Sequence, residues 1–448
     1  MNSPAAPPPD RSACPAGTFG WGPLAYMAGL FFIIGFATWL NGPLIPFVQV
    51  AFSLDDVSAF LVPLVFYIAY VVFALPASHL AAQTGPKRTL PRALGAMALG
   101  MAITAGGLHA GLYPLALTGL LTLGGGLAFL QVAVNPYVTL LGPHARAAQR
   151  IAIMGVCNKL GGIVAPLVLA GLAMRNMGGL TASLTHAPDP STSATLRAQA
   201  LDALAGPYLG MAVLLAAAAF GIARAHLPDL RRAPSSAPSH EGASATGQPH
   251  TTLTRPWPLH PRALLGAGAM FLYVGVEVLA GDAIGTYARA SGLPLNQSGF
   301  FTALTLSCML AGYLCGLALI PRRISQEHYL LLCCLAGAGL ALLACATHGY
   351  ASVLCLGLFG FANAMIFPSL FPIVLRGNAA DSARISALLV MAYSGGGIMP
   401  QVFIRLAAHV GFHPALALVS LPSYLMIAVY GWYFSRPRPL ALMEQAPS

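Results

Sequence analysis

The sequence predicts an all-α integral membrane protein of about twelve transmembrane helices, arranged as two pseudo-symmetric six-helix bundles. Three observations lead there. Of 448 residues, 57% are apolar and 8% charged, whereas a soluble domain carries roughly a quarter charged residues. Apolar stretches recur from Pro23 to Phe434, each near the roughly 20 residues a helix needs to cross a bilayer. Short motifs also repeat between the two halves of the chain at offsets of 232 to 235 residues.

The apolar stretches place spans at 23–47, 57–82, 90–110, 113–141, 151–173, 206–226, 263–288, 297–320, 329–346, 351–375, 386–409 and 414–435. With both termini on one side, that side collects sixteen basic residues, among them Lys87, Arg88, Arg146, Arg150, Arg322, Arg323, Arg376 and Arg384. The other side holds three, Arg175, Arg197 and Arg289. Basic loops stay cytoplasmic, so the formal charge of +10 reports topology, and nucleic acid is not an expected partner. The reading is a multi-pass membrane protein with both termini cytoplasmic.

The domain plan follows: a cytoplasmic tail (1–22), an N-terminal bundle (23–226), a linker (227–262), a C-terminal bundle (263–435) and a cytoplasmic tail (436–448). Residues 1–22 are rich in proline and alanine and lack the basic segment and short apolar core of a cleaved leader. The linker is dense in Ser, Pro and Gly, too poor in apolar surface to order itself. Residues 182–205 read as the single long external loop. Seven of the eight cysteines fall inside spans, where cysteine is a small packing residue rather than a disulfide or metal ligand.

The repeat is specific. Pro86-Lys87-Arg88 stands between the second and third spans, and Pro321-Arg322-Arg323 between the eighth and ninth. Arg150-Ile151 is followed at +11, +12 and +16 by Gly161, Gly162 and Pro166; Arg384-Ile385 is followed at the same offsets by Gly395, Gly396 and Pro400. Gln131 precedes Pro136 by five residues, as Asn363 precedes Pro368. A duplicated six-helix half is the architecture of major facilitator transporters, whose site lies near the midplane between the halves. The intramembrane glycines suit close helix contact.

Ionisable groups within spans cost at least roughly 2.5 kcal/mol on insertion scales, so each needs a reason. In the seventh span Glu277 and Asp282 interrupt an apolar run. Five residues of helix put them about 140° apart, and Gly281 offers a place for the helix to break. The expected role of Glu277 is cation coupling or hydroxyl binding; the bland alternative is a structural pair with a buried base. Lys159 and Arg405 are the candidate bases, and both are read as near enough to helix ends to snorkel toward water.

The amides Asn41, Gln131, Asn135, Asn158, Asn363 and Gln401 offer donors and acceptors together, which suits a ligand made of hydroxyls. Trp39, Tyr273 and Tyr393 add flat apolar faces. The alternative is that the amides bond between helices, at about 1 kcal/mol each.

The stretches Leu40-Asn41-Gly42-Pro43-Leu44-Ile45-Pro46-Phe47, Leu130-Gln131-Val132-Ala133-Val134-Asn135-Pro136-Tyr137-Val138-Thr139 and Tyr273-Val274-Gly275-Val276-Glu277-Val278 resemble the fucose:proton symporter and glucose/galactose porter family of the major facilitators. The likeness covers nearly the whole membrane part. It implies secondary uptake of a monosaccharide across the bacterial inner (plasma) membrane by a carrier driven by H+ or Na+. Fucose permeases have an aspartate where this chain has Gly42 and a glutamate where it has Gln131. Gln131 is shared with the glucose/galactose branch, and Asn41-Gly42-Pro43 looks like the N-acetylglucosamine branch. Aligning Phe31 with Phe271 and Gly35 with Gly275 places Gly42 opposite Asp282, so the coupling carboxylate is expected on the seventh span, at Glu277 or Asp282.

The expected function is therefore symport of a glucose-, galactose- or N-acetylglucosamine-type sugar by alternating access, as a monomer without cofactor or metal. The substrate site is expected to draw on Trp39, Asn41, Gln131, Asn135, Asn158, Tyr273, Glu277, Asn363 and Tyr393. A sugar sensor that kept the fold, or a carrier for another small polar solute, are the alternatives. No Gly-x-Ser-x-Gly, no His-Glu-x-x-His and no metal-spaced His or Cys cluster supports an enzyme.

Overall fold

Glycine and proline punctuate the chain where its apolar stretches end. Gly85 sits at φ +75° and Gly411 at φ +86°, conformations that a residue with a Cβ adopts only at a cost. Pro86 then opens a helix at a position where its missing N–H is no loss. The computed structural model describes residues 21–140, 147–173, 190–225, 261–320, 323–375 and 382–435. Residues 1–20 of the expected tail, 227–260 of the expected linker at 227–262, and the tail at 436–448 lie outside that set, while 21–22 and 261–262 open helices.

The described residues form twelve spans. In the first half they are Trp21–Trp39 continued by Asn41–Ala51, Leu61–Thr84, Pro86–His109, Tyr113–Leu140, Ala147–Ala173 and Pro190–Arg224. In the second half they are Pro261–Asp282 continued by Ile284–Ala290, Ser298–Leu319, Gln326–Ala346, Gly349–Asn363 continued by Ile366–Leu375, Ser382–Met391 continued by Gly395–Val410, and Phe412–Ser435. Ten of these spans, taken with their continuations, are long and apolar enough to cross a bilayer, and the fifth has a shorter apolar stretch, Ile153–Leu169. The third starts with Lys87, Arg88 and Arg92, which dilute its hydropathy. Large apolar side chains such as Val213, Leu265, Leu335 and Trp432 point outward, the inverse of a soluble surface and the pattern lipid requires.

The sixth span departs from expectation. Its helix starts at Pro190, not near 206, and runs 35 residues, roughly 50 Å and longer than a bilayer is thick. Ala200, Leu201 and Leu204 are buried along one face, while Asp202 meets His109 at the end of the third span, 2.5 Å away. The polar Ser-Thr run and Pro190 suggested a loop, but one apolar stripe against a neighbour is enough to hold a helix.

The duplication is visible as matched backbone contacts. A Cβ at Gly161 would lie 2.0 Å from the Phe32 carbonyl oxygen, fifth span against first; one at Gly395 would lie 2.0 Å from that of Phe271, eleventh against seventh. Likewise Gly124 abuts the Phe66 carbonyl, fourth against second, and Gly360 that of Thr305, tenth against eighth. Such approach leaves no space for a side chain. The following glycines stand at the boundary between halves: Gly162 meets Trp39 of its own half and Leu306 of the other, and Gly396 meets Val278 of its own half and Tyr67 of the other.

On the side opposite the basic turns, the halves are closed against each other. Arg289 pairs with Asp56 at 2.9 Å, Gln49 also donates to Asp56, and Gln401 donates to the Val57 carbonyl at 3.0 Å. The neighbouring Asp55 is held below its ordinary carboxylate value by the Ser58 hydroxyl. The Asp56–Arg289 pair is about one-third exposed at each partner, so it contributes less than about 1 kcal/mol.

Two expectations follow. G161A and G395A should abolish recovery of monodisperse protein, while G221A, at a glycine with open space around it, should be recovered like the parent; equal recovery of all three by size-exclusion chromatography contradicts the seam. R289Q should speed amide hydrogen exchange in Asn41–Ala51 and Ile284–Ala290 by no more than about fivefold, the equilibrium shift of a pair worth about 1 kcal/mol.

Candidate functional site

Near the middle of the 27-residue helix Ala147–Ala173 stands Lys159, and its ammonium lies 2.9 Å from Oε1 of Glu277 on the seventh span. The side chains are 8% and 12% exposed. The pair therefore joins the two halves inside the protein. Lys159 does not snorkel: the helix begins earlier than the apolar pattern suggested, which moves the residue to mid-span. Arg405, by contrast, is exposed. Burying either charge alone is costly, whereas a hydrogen-bonded pair offsets most of that cost.

Trp39 ends the first helix and supplies the wall beside this pair. Its ring lies 4.9 Å from the Lys159 ammonium, within cation–π range. It fits there because Gly162 and Gly281 have no side chains: a Cβ at Gly281 would come within 2.2 Å of the ring.

Aromatic side chains from both halves complete the surroundings. Tyr67 and Tyr70, three residues apart on the second span, stack at 6.0 Å; Tyr70 meets Tyr393 edge-on at 5.5 Å. Tyr393 in turn meets Phe367 at 6.3 Å, and Phe367 meets Tyr273 at 6.4 Å. Tyr67, Tyr273, Tyr313 and Tyr393 all lie within electrostatic range of Glu277. Gln131 donates to the Tyr70 hydroxyl at 3.1 Å, which holds the amide beside this ring cluster.

The remaining amides divide. Asn158 donates to the Phe31 carbonyl at 3.3 Å, binding fifth span to first. Asn41 accepts from Tyr208 at 3.4 Å, and Asn363 from Tyr424 at 3.0 Å; both are fully buried and the Nδ2 of each has no partner. Asn158, Asn41 and Asn363 thus bond within their own half. Asn135 lies further along the fourth span, and its side chain is outside the described residues.

Asp282 makes no hydrogen bond to any of these. It ends the helix Pro261–Asp282, just before the break at Ala283, and is 1% exposed with neither carboxylate oxygen hydrogen-bonded. It faces the first span, where a Cβ at Gly42 would come within 2.7 Å of Oδ1.

The structure thus brings Trp39, Gln131, Tyr273, Glu277 and Tyr393 around one centre, and of the two candidate bases Lys159, not Arg405, is the partner of Glu277. It missed Tyr67, Tyr70, Tyr208 and Tyr313. Tyr67 and Tyr70 at helical spacing in an otherwise apolar span were the available signal.

The ion pair makes a sharp expectation. E277Q or K159M alone leaves one buried charge unpaired and should cost about 3–5 kcal/mol, read as a lower Tm of the purified protein. The double variant should recover part of that loss; additive losses would show that the two groups do not interact.

The family model of the Major Facilitator Superfamily matches residues 27–400. A glucose/galactose transporter of Brucella abortus biovar 1 (strain 9-941) is 31% identical over 409 residues, 90% of this chain and 91% of that protein. The L-fucose-proton symporter of Escherichia coli (strain K12) is 25% identical over 92% of this chain and 93% of its own length. The crystal structure of the Major Facilitator Superfamily transporter FucP in the outward conformation superposes with a TM-score of 0.71 at 24% identity, covering 94% of this chain and all of that one; it shares the fold.

Proposed function

The chain belongs to the Major Facilitator Superfamily, and from that premise we propose that it imports a neutral monosaccharide of the glucose, galactose or N-acetylglucosamine type by cation-coupled alternating access. The reading rests on one observation above the others: a charge-neutral, aromatic-lined junction lies where the two halves meet. The names of the relatives, glucose/galactose transporter and L-fucose-proton symporter, support the same substrate class.

The chemistry suits a sugar. A pyranose has apolar C–H faces and a rim of hydroxyls. Trp39 and the tyrosines offer flat surfaces for the faces. The Lys159–Glu277 pair offers a donor and an acceptor side by side, and Gln131 offers both, so each hydroxyl finds a complement. Because the pair sums to zero charge, a neutral ligand enters without leaving a net charge buried.

Alternating access then asks the halves to rock about this junction. The contacts of Asp56 with Arg289 and Gln401 with Val57 close one side; their separation would open it. Helix interruptions near Leu40, Ala283 and Ala392–Ser394 lie beside the junction, where local bending is cheapest. The basic-loop asymmetry supports a bacterial inner-membrane protein with both termini in the cytoplasm. A monomer without cofactor or metal is sufficient for this cycle.

The test is uptake and counterflow in proteoliposomes with a competition panel of glucose, galactose, fucose, mannose and N-acetylglucosamine, at varied pH and sodium. Exchange of at least one hexose is expected, with W39A raising KM more than it lowers the maximal rate. Binding of a sugar without translocation would instead favour a sensor, and no binding of any would sink the substrate class.

A further inference from the structure

Among the described residues, Lys159, Glu277 and Asp282 are buried between the halves, and they do not have equal standing. Lys159 and Glu277 neutralise each other at 2.9 Å. Among the described residues Asp282 has no such partner. Its carboxylate faces Gly42 of the first span, and both oxygens lack a hydrogen-bond donor. The titratable groups within electrostatic range are Tyr67, Tyr208 and Glu277, none of them a cation. Lys159 is committed to Glu277, and Arg289, seven residues on, to Asp56.

Position adds a second observation. Asp282 sits where the outer segments of the first and seventh spans meet: Gly42 abuts Asp282, and Pro46 lies against Gly285. These segments, Asn41–Ala51 and Ile284–Ala290, are on the side closed by the Asp56–Arg289 pair. Opening that side would part them and bring water to the carboxyl group. Closing it strips the water away.

We infer that Asp282 is the proton carrier of the transport cycle, loaded when the outer segments part and sealed against Gly42 when they close, while Lys159 holds Glu277 out of that role. The inference rests on the sugar-carrier reading above. A desolvated carboxylate without donors is far more costly than a neutral carboxylic acid. Closure of the outer side is therefore linked to formation of the O–H bond on Asp282, and the same bond breaks when water reaches the group from the opposite side. Nothing is oxidised or reduced.

The contact also suggests moving the carboxylate. Because a Cβ on Gly42 would point onto Oδ1 of Asp282 at 2.7 Å, an aspartate at 42 with glycine at 282 would return the carboxylate to the same spot from the other helix. The experiment uses the full chain in proteoliposomes and compares counterflow with accumulation driven by an inward proton gradient. D282N and D282G should lose accumulation above equilibrium and sugar-evoked proton uptake, with counterflow still measurable. G42D/D282G should regain both.

Wild-type accumulation that responds to sodium and not to pH overturns the proton assignment. So does accumulation by D282N at the wild-type level, or loss of counterflow together with accumulation in folded D282N. If D282N and D282G do not fold, G42D/D282G decides alone: coupled uptake supports the proposal, and counterflow without accumulation overturns it. Absence of counterflow in the wild type with every sugar tested would be a failure of the carrier reading itself, distinguishable from all of these.

Discussion

A charge in the hydrocarbon core has no water to fall back on, and the centre of this protein is organised by that fact. Lys159 and Glu277 come from different halves, 118 residues apart, and meet at 2.9 Å. Neither is tolerable without the other, so the pair specifies how the two bundles face each other. Trp39 leans on the ammonium, and glycines at 162 and 281 make room for its ring. The aromatic surroundings then follow from excluding water around a pair that solvent would otherwise weaken.

Within each half, a different constraint dominates. Lipid is as apolar as leucine, so helices cannot be driven together by burying oil from water, and close backbone approach takes over. Gly161 on the Phe32 carbonyl and Gly395 on the Phe271 carbonyl are the same joint made twice. Side chains at either place would push the helices apart. These seams leave the neighbouring glycines, 162 and 396, at the boundary between halves, where small residues let one bundle move past the other.

The two acids of the seventh span illustrate how burial alone says little about role. Glu277 has a partner and Asp282 has none, though they share a helix and lie five residues apart. Spacing around the helix turns one toward the fifth span and the other toward the first. A paired carboxylate is a fixed charge, whereas an unpaired one at a contact that opens and closes changes state with the contact.

The sequence by itself determined the span count, the asymmetry of basic loops and the duplicated glycine and proline spacing, because each depends on composition and period along the chain. It also singled out Glu277 and Asp282, since charge in an apolar run is visible without coordinates. The sixth helix's early start was hidden, because a narrow apolar stripe among serines and threonines looks like a loop until a neighbour covers it. Only the tertiary structure decided that Lys159 reaches Glu277, that Asn158 bonds the Phe31 carbonyl, and that Asp282 rests against Gly42. Periodicity tells which face of a helix a residue occupies; the identity of the opposing helix, and hence of the partner, exists only once the bundles have packed.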